Sequence, residues 1–157
     1  MSRYGAKDNG ASVLLPCTPP DEQERSRRLS LTVVFTTVSA TLAALRRAGE
    51  LAQGLNAHIR IVVPQVVPYP LPLDRPSVDP EFTVRYFRTV SLAGRAQTRI
   101  AVRLCRDRYL GIAHALYRQS VVLIGGRKRR AWPTREHRLA KKLRLAGHHV
   151  IFVVRAE

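Results

Sequence analysis

The sequence predicts an α/β protein built on a parallel sheet of five strands with helices on both faces. Three observations carry this. Apolar runs rich in β-branched residues recur at Leu31–Phe35, His58–Val67, Thr98–Cys105, Ser120–Ile124 and His149–Val154, the pattern of strands buried on both faces. Stretches of helical periodicity separate each run from the next, so strand and helix alternate along the chain. Gly125-Gly126 ends the fourth run just before a basic loop and a helix, and ligands of such folds gather at a loop of this kind. Right-handed crossovers leave few ways to wind the chain.

The elements follow in order. Residues 1–30 hold Gly, Pro, Asp, Asn and Ser clusters and a mixed-charge run, Asp21–Arg28, and read as a flexible leader before a single domain over 31–157. After the first strand, the hydroxyls of Thr36, Thr37 and Ser39 can cap a helix running from about Ala40 to Leu55. Its apolar face is Leu42, Leu45, Ala48, Ala52 and Leu55, and Asn56 is suited to a left-handed terminator. Pro64 and Pro68 limit the ladder of the second strand. The prolines at 70, 72, 76 and 80 mark a surface loop. A second helix spans Glu81 to about Ala93, with Phe82, Tyr86 and Val90 at four-residue spacing as its core stripe. Arg99 and Arg103 place the third strand at or near a sheet edge. A third helix covers Tyr109–Gln119. The fourth, Thr134–Leu145, turns Leu139, Leu143 and Ala146 to one side and ends before Gly147.

Charge is the unusual feature of the composition. Among 157 residues, 27 lysines and arginines face 11 acidic residues, a net charge of +16, of which the segment after residue 30 carries +15. Such an excess favours polyanionic neighbours: nucleic acid, anionic lipid heads or phosphate-bearing molecules. No apolar run approaches the roughly 20 residues of a membrane-spanning helix, and no signal-peptide core is present, which implies a cytoplasmic protein. Cys17 and Cys105 lie in unlike settings without a CxxC spacing, so they read as independent thiols.

Two segments resemble a known family. LTVVFTTVSATLAALRRAGELAQGLNAHIRIVVPQVVP resembles the opening strand–helix–strand of universal stress proteins, through Ala44-Leu45, Ala48, Leu51-Ala52 and Leu55-Asn56-Ala57. VVLIGGRKRR, followed by LAKKLRLAGHHVIFVV, resembles that family's last strand–helix–strand, and together the likeness covers about residues 31–154. It implies the strand order 3-2-1-4-5, with a crevice between the first and fourth strands. ATP-binding members carry Gly-x2-Gly-x9-Gly-Ser/Thr after the fourth strand, glycines that let backbone N–H groups approach phosphates. Gly125 can stand for the first glycine, but the second falls on Lys128, and the third on Arg138 or, counted back from the last strand, on Glu136-His137. The carboxylate that ends the family's first strand falls on Thr36. The resemblance thus implies a degenerate nucleotide site at Thr36, Thr37, Gly125, Gly126, Arg127, Lys128, Arg129 and Arg130, with no cofactor and ATP not expected.

The loop at 127–130 leaves two readings open. It is either a solvated basic surface or a different anion site, because nine basic residues face one acidic residue between Arg127 and Arg144 and arginine forks hold phosphate without a glycine cradle. His137, His148 and His149 have no carboxylate or thiol at ligand spacing, so no metal site is expected. No catalytic motif stands out, and an enzyme is not expected. Trp132 reads as packing beside the fourth helix. The last strand, Val150, Ile151, Phe152, Val153 and Val154, is an uncharged terminal edge, and many proteins of the resembled family dimerise through it, so a homodimer is expected there. Three functions remain: a non-catalytic stress-response module acting through protein contacts; a polyanion-binding module using residues 127–130 and helix 134–145; or a regulatory partner of a membrane transporter.

Overall fold

A computed structural model describes residues 11–14, 29–93, 98–127 and 133–154. The elements are β1 (Ala11–Leu14), β2 (Ser30–Val34), α1 (Val38–Leu55), β3 (His58–Val66), α2 (Pro80–Ala93), β4 (Thr98–Cys105), α3 (Arg108–Ala115), β5 (Val121–Gly126), α4 (Arg135–Leu145) and β6 (His149–Val154). All pairings are parallel, and the sheet runs β1-β4-β3-β2-β5-β6. The five expected strands therefore stand in the expected order 3-2-1-4-5. A sixth is added outside them: Ala11–Leu14, within the stretch read as a leader, pairs with Ile100–Arg103.

That added strand leaves β4 second from the edge of the sheet, near an edge as expected, and Arg103 is only 2% exposed. Arg60, on β3, is buried too; its guanidinium donates to the Ala115 carbonyl at 2.9 Å and lies 5.1 Å from the Tyr117 ring centre.

Alternation along the strands divides the core into two layers. Leu31 and Val33 of β2, with Ile59 and Ile61 of β3, face Leu45 and Ala48 of α1 and Val84 and Phe87 of α2. Val34, Val122 and Ile124 face Ile112 of α3 and Ala140 and Leu143 of α4. The second helix buries a different stripe from the one its sequence suggests. Val84 and Phe87 are buried, whereas Phe82 and Tyr86 are 56% and 45% exposed. Phe87 meets Phe35 edge-on, with ring centres 4.7 Å apart, and this contact sets the roll of the helix.

Local signals are met at most boundaries. Thr37, Asp107 and Thr134 each cap a helix by accepting from a backbone N–H. Asn56 is left-handed, at φ 48° and ψ 43°. Gly147 has φ +92°, just past the last helix, where a side chain would be strained. Pro64 sits inside β3 without breaking the ladder. The His58 nitrogen bonds toward β2, and even-numbered residues of β3 share that direction; by this register Pro64 stands opposite the Phe35 carbonyl, which accepts from Arg108 instead. Among the described residues, no helix is long and apolar enough to cross a membrane.

Candidate functional site

The strand order reverses between β2 and β5, which run outward to α1 and toward α4 respectively, and this places a crevice above their carboxyl ends. Thr36 follows β2 and reaches across the crevice: its hydroxyl donates to the Gly125 carbonyl at 2.9 Å. Thr37 is committed to the start of α1, where its side chain accepts from the Ala40 N–H at 3.4 Å.

The glycine pair is not a turn but the end of β5, paired with Val153 and Val154. Both glycines are needed for close packing. A side chain at Gly125 would collide with the backbone carbonyl of Ala40, so the first turn of α1 lies directly on this strand. A side chain at Gly126 would meet the Phe152 ring at 2.6 Å and the Glu136 Cβ at 3.0 Å. The space a side chain would take at each glycine is thus occupied by protein, while Gly126 itself also borders a cavity. Of the basic loop, Arg127 is exposed at the crevice; Lys128, Arg129 and Arg130, with Trp132, lie outside the described residues.

Two adjoining cavities open here. The first, about 640 Å³, lies between the N-termini of α1 and α4, with Thr37 and Ser39 on one wall, Thr134 and Glu136 on the other, and Arg127, Arg135 and Arg138 around it. The second, about 490 Å³, shares Thr37, Arg135, Glu136 and Arg138, and extends to Asp107 and Arg108 at the start of α3 and Lys142 on α4. Five cations thus face two carboxylates. Asp107 accepts from the Leu110 N–H at 2.8 Å and keeps its charge beside that of Glu136. Arg108 donates to the Phe35 carbonyl at 2.6 Å. Burial chiefly lowers its pKa, the charges of Cys105 and Glu136 oppose that, and Arg135 adds a smaller lowering.

The sequence reading missed Arg108, Asp107 and Ser39 as lining residues. Asp107 was discoverable as an N-cap before a helix; that it faces the same crevice as Arg135 is a matter of chain winding. Other candidates resolve into structure. His137 pairs through Nδ1 with the Thr134 hydroxyl at 3.0 Å and stacks on Phe152, ring centres 4.0 Å apart. His148 Nδ1 is 3.0 Å from the Ser120 hydroxyl, and burial holds its pKa below the ordinary histidine value. Among the described residues no group of His, Cys, Asp or Glu could hold a metal. Cys105 is buried against Gly111; burial, then the nearby Asp107 charge, raises its thiol pKa, which suppresses the thiolate.

The architecture is similar to that of a universal stress protein from Archaeoglobus fulgidus, at 12% identity over 84% of this chain and 98% of that one, with a TM-score of 0.54. Similar solved structures also include a member of the universal stress protein family from Burkholderia pseudomallei (18% identity, 83% of this chain and 98% of that one, TM-score 0.49). A universal stress protein in complex with cAMP is similar as well (18% identity, 83% of this chain and 100% of that one, TM-score 0.48). No family model matches the sequence, and no curated protein matches it. The chain has the universal stress protein fold.

Proposed function

We propose that the chain is a non-catalytic cytoplasmic module of universal stress protein fold, which acts through protein contacts in stress response or regulation and does not recognise adenosine. One observation carries this reading: Thr36 is tied to Gly125 across the crevice, and the flanks of Gly125 and Gly126 are filled by Ala40, Phe152 and Glu136. A glycine cradle needs glycines in a loop that wraps a phosphate, and here the two that remain are strand residues packed against α1 and β6, with only Gly126 bordering the cavity. Calorimetric titration with ATP, AMP and adenosine tests it. Adenosine and AMP should give no saturable heat, and ATP should bind no tighter than tripolyphosphate. Saturable adenosine binding would sink the reading.

The homodimer belongs to the same proposal. The outer edge of β6 carries no strand among the described residues, and Val150, Ile151, Phe152 and Val153 are only half-buried. The His149 N–H bonds inward to Ser120, so the even-numbered residues of β6 aim their backbone groups outward. Arg144 donates to one of these, the Val150 carbonyl, at 3.1 Å. Strand pairing must displace that guanidinium or start beyond it. Arg144→Ala should therefore tighten the dimer several-fold in sedimentation equilibrium, by removing the competing donor.

A second reading, polyanion binding, is favoured by the charge of α4. Its eleven residues carry five cations and one carboxylate, with Lys141, Lys142 and Arg144 all exposed. Binding to a short DNA duplex should fall steeply with salt, and fall further in a Lys141→Ser, Arg144→Ser variant. Salt-independent binding would exclude it.

A further inference from the structure

The crevice has features that a decayed nucleotide pocket does not require. Three arginines, Arg127, Arg135 and Arg138, surround one cavity from two different elements, and all three are exposed. They converge where α1 and α4 begin, so the positive ends of two helix dipoles add potential from opposite walls. The adjoining cavity continues the cationic lining to Arg108 and Lys142. The combined space is longer than a single phosphate needs. Among the described lining residues Tyr109 is the only aromatic; it is half-buried, and the Lys142 ammonium sits 5.1 Å from its ring centre. A base would find no open ring to stack on, whereas phosphates would meet guanidinium groups in both cavities.

We infer that the two adjoining cavities form one site for a linear oligophosphate, gripped by Arg127, Arg135 and Arg138 between the starts of α1 and α4, with no contribution from a nucleoside. This rests on the reading above that adenosine is not recognised. Glu136, and Asp107 at the far end, oppose the ligand from within the site and limit its affinity. Arg108 is held by the Phe35 carbonyl and supplies fixed charge at the far end.

The test is calorimetry on the full chain with sodium tripolyphosphate, orthophosphate, ATP and a short DNA duplex, at low and at physiological salt. Tripolyphosphate should saturate at one per chain and bind about tenfold or more tighter than orthophosphate, since several arginines act together. ATP should fall within about threefold of tripolyphosphate, because only its phosphate chain is held. Arg135→Ser with Arg138→Ser should weaken tripolyphosphate about tenfold or more, and Glu136→Gln should strengthen it several-fold. Lys141→Ser with Arg144→Ser, on the outward side of α4, should leave tripolyphosphate unchanged while weakening the duplex. Circular dichroism confirms that each variant is folded before its titration is compared. Absent tripolyphosphate binding, or binding indifferent to Arg135 and Arg138, overturns the oligophosphate site while leaving the adenosine reading standing. ATP binding about tenfold tighter than tripolyphosphate overturns both.

Discussion

The two faces of the sheet are built on different terms. Toward α1 and α2, the buried strand residues are Leu31, Val33, Ile59, Ile61, Ile100 and Val102, and all are apolar. Toward α3 and α4 the same strands turn Thr32, Arg60 and Arg103, each less than 10% exposed, alongside Val34, Val62 and Ala101. The described core clusters differ accordingly: thirteen buried residues on the first face and seven on the second. Helix charge follows the same division, with a net +2 on α1 and α2 and +5 on α3 and α4. One face mainly stabilises the fold. The other accepts polar and cationic groups, and the crevice opens along its helices.

That division can be broken experimentally, starting with the core. Leu45 and Leu143 are both fully buried, one under each layer. Leu45→Ala should cost about 4 kcal/mol and Leu143→Ala about 2–3 kcal/mol in urea denaturation, because the smaller cluster can collapse more readily around the lost atoms. Equal losses would show that the two layers are equally tight.

The glycines at the crevice come next. Gly125→Ala drives a methyl group into the Ala40 backbone and should cost about 3 kcal/mol, since a helix must shift. Gly126→Ala meets a ring edge and a side-chain carbon and should cost about 1 kcal/mol. A reversed order would mean that α1 yields more easily than Phe152.

Thr32 gives an effect of the opposite sign. Its hydroxyl is fully buried and has no hydrogen-bond partner among the described residues. Thr32→Val keeps the shape and removes the unpaired group, and should stabilise the protein by about 1 kcal/mol in the same assay. A destabilised variant would reveal a partner for that hydroxyl in solution.

The smallest expected effect is a pH dependence at His148. Burial lowers its folded pKa, so below about 6.5 the unfolded chain takes up a proton that the folded chain resists. This contribution to stability is complete above that pH and declines as pH falls toward the folded pKa. His148→Asn should flatten the decline between neutral and mildly acidic pH in thermal melts; an unchanged slope would place the acid sensitivity elsewhere.

Much of this molecule was readable along the chain. The apolar runs located β2 to β6, and the caps at Thr37, Asn56, Thr134 and Gly147 are local events whose signals lie within a few residues of their effect. Tyr86 was misread for a physical reason. Its four-residue spacing with Phe82 and Val90 is a valid helical stripe, but Phe35 draws Phe87 inward and rolls the helix. The covering of β4 by β1 was not legible, because β1 comes from a stretch whose composition gives little strand signal. At the candidate site, the loss of the expected second glycine at Lys128 was visible by counting, and so was the run of cations.

Taken alone, the sequence determined the alternation of elements, the helix ends and the excess of positive charge, because each depends on neighbours in the chain or on composition. Only the tertiary structure decided that Thr36 would bond to Gly125 and that Arg108, Arg127, Arg135 and Arg138 would line adjoining cavities. Those residues come from different strands and helices, and their meeting depends on strand order and packing rather than on any local pattern.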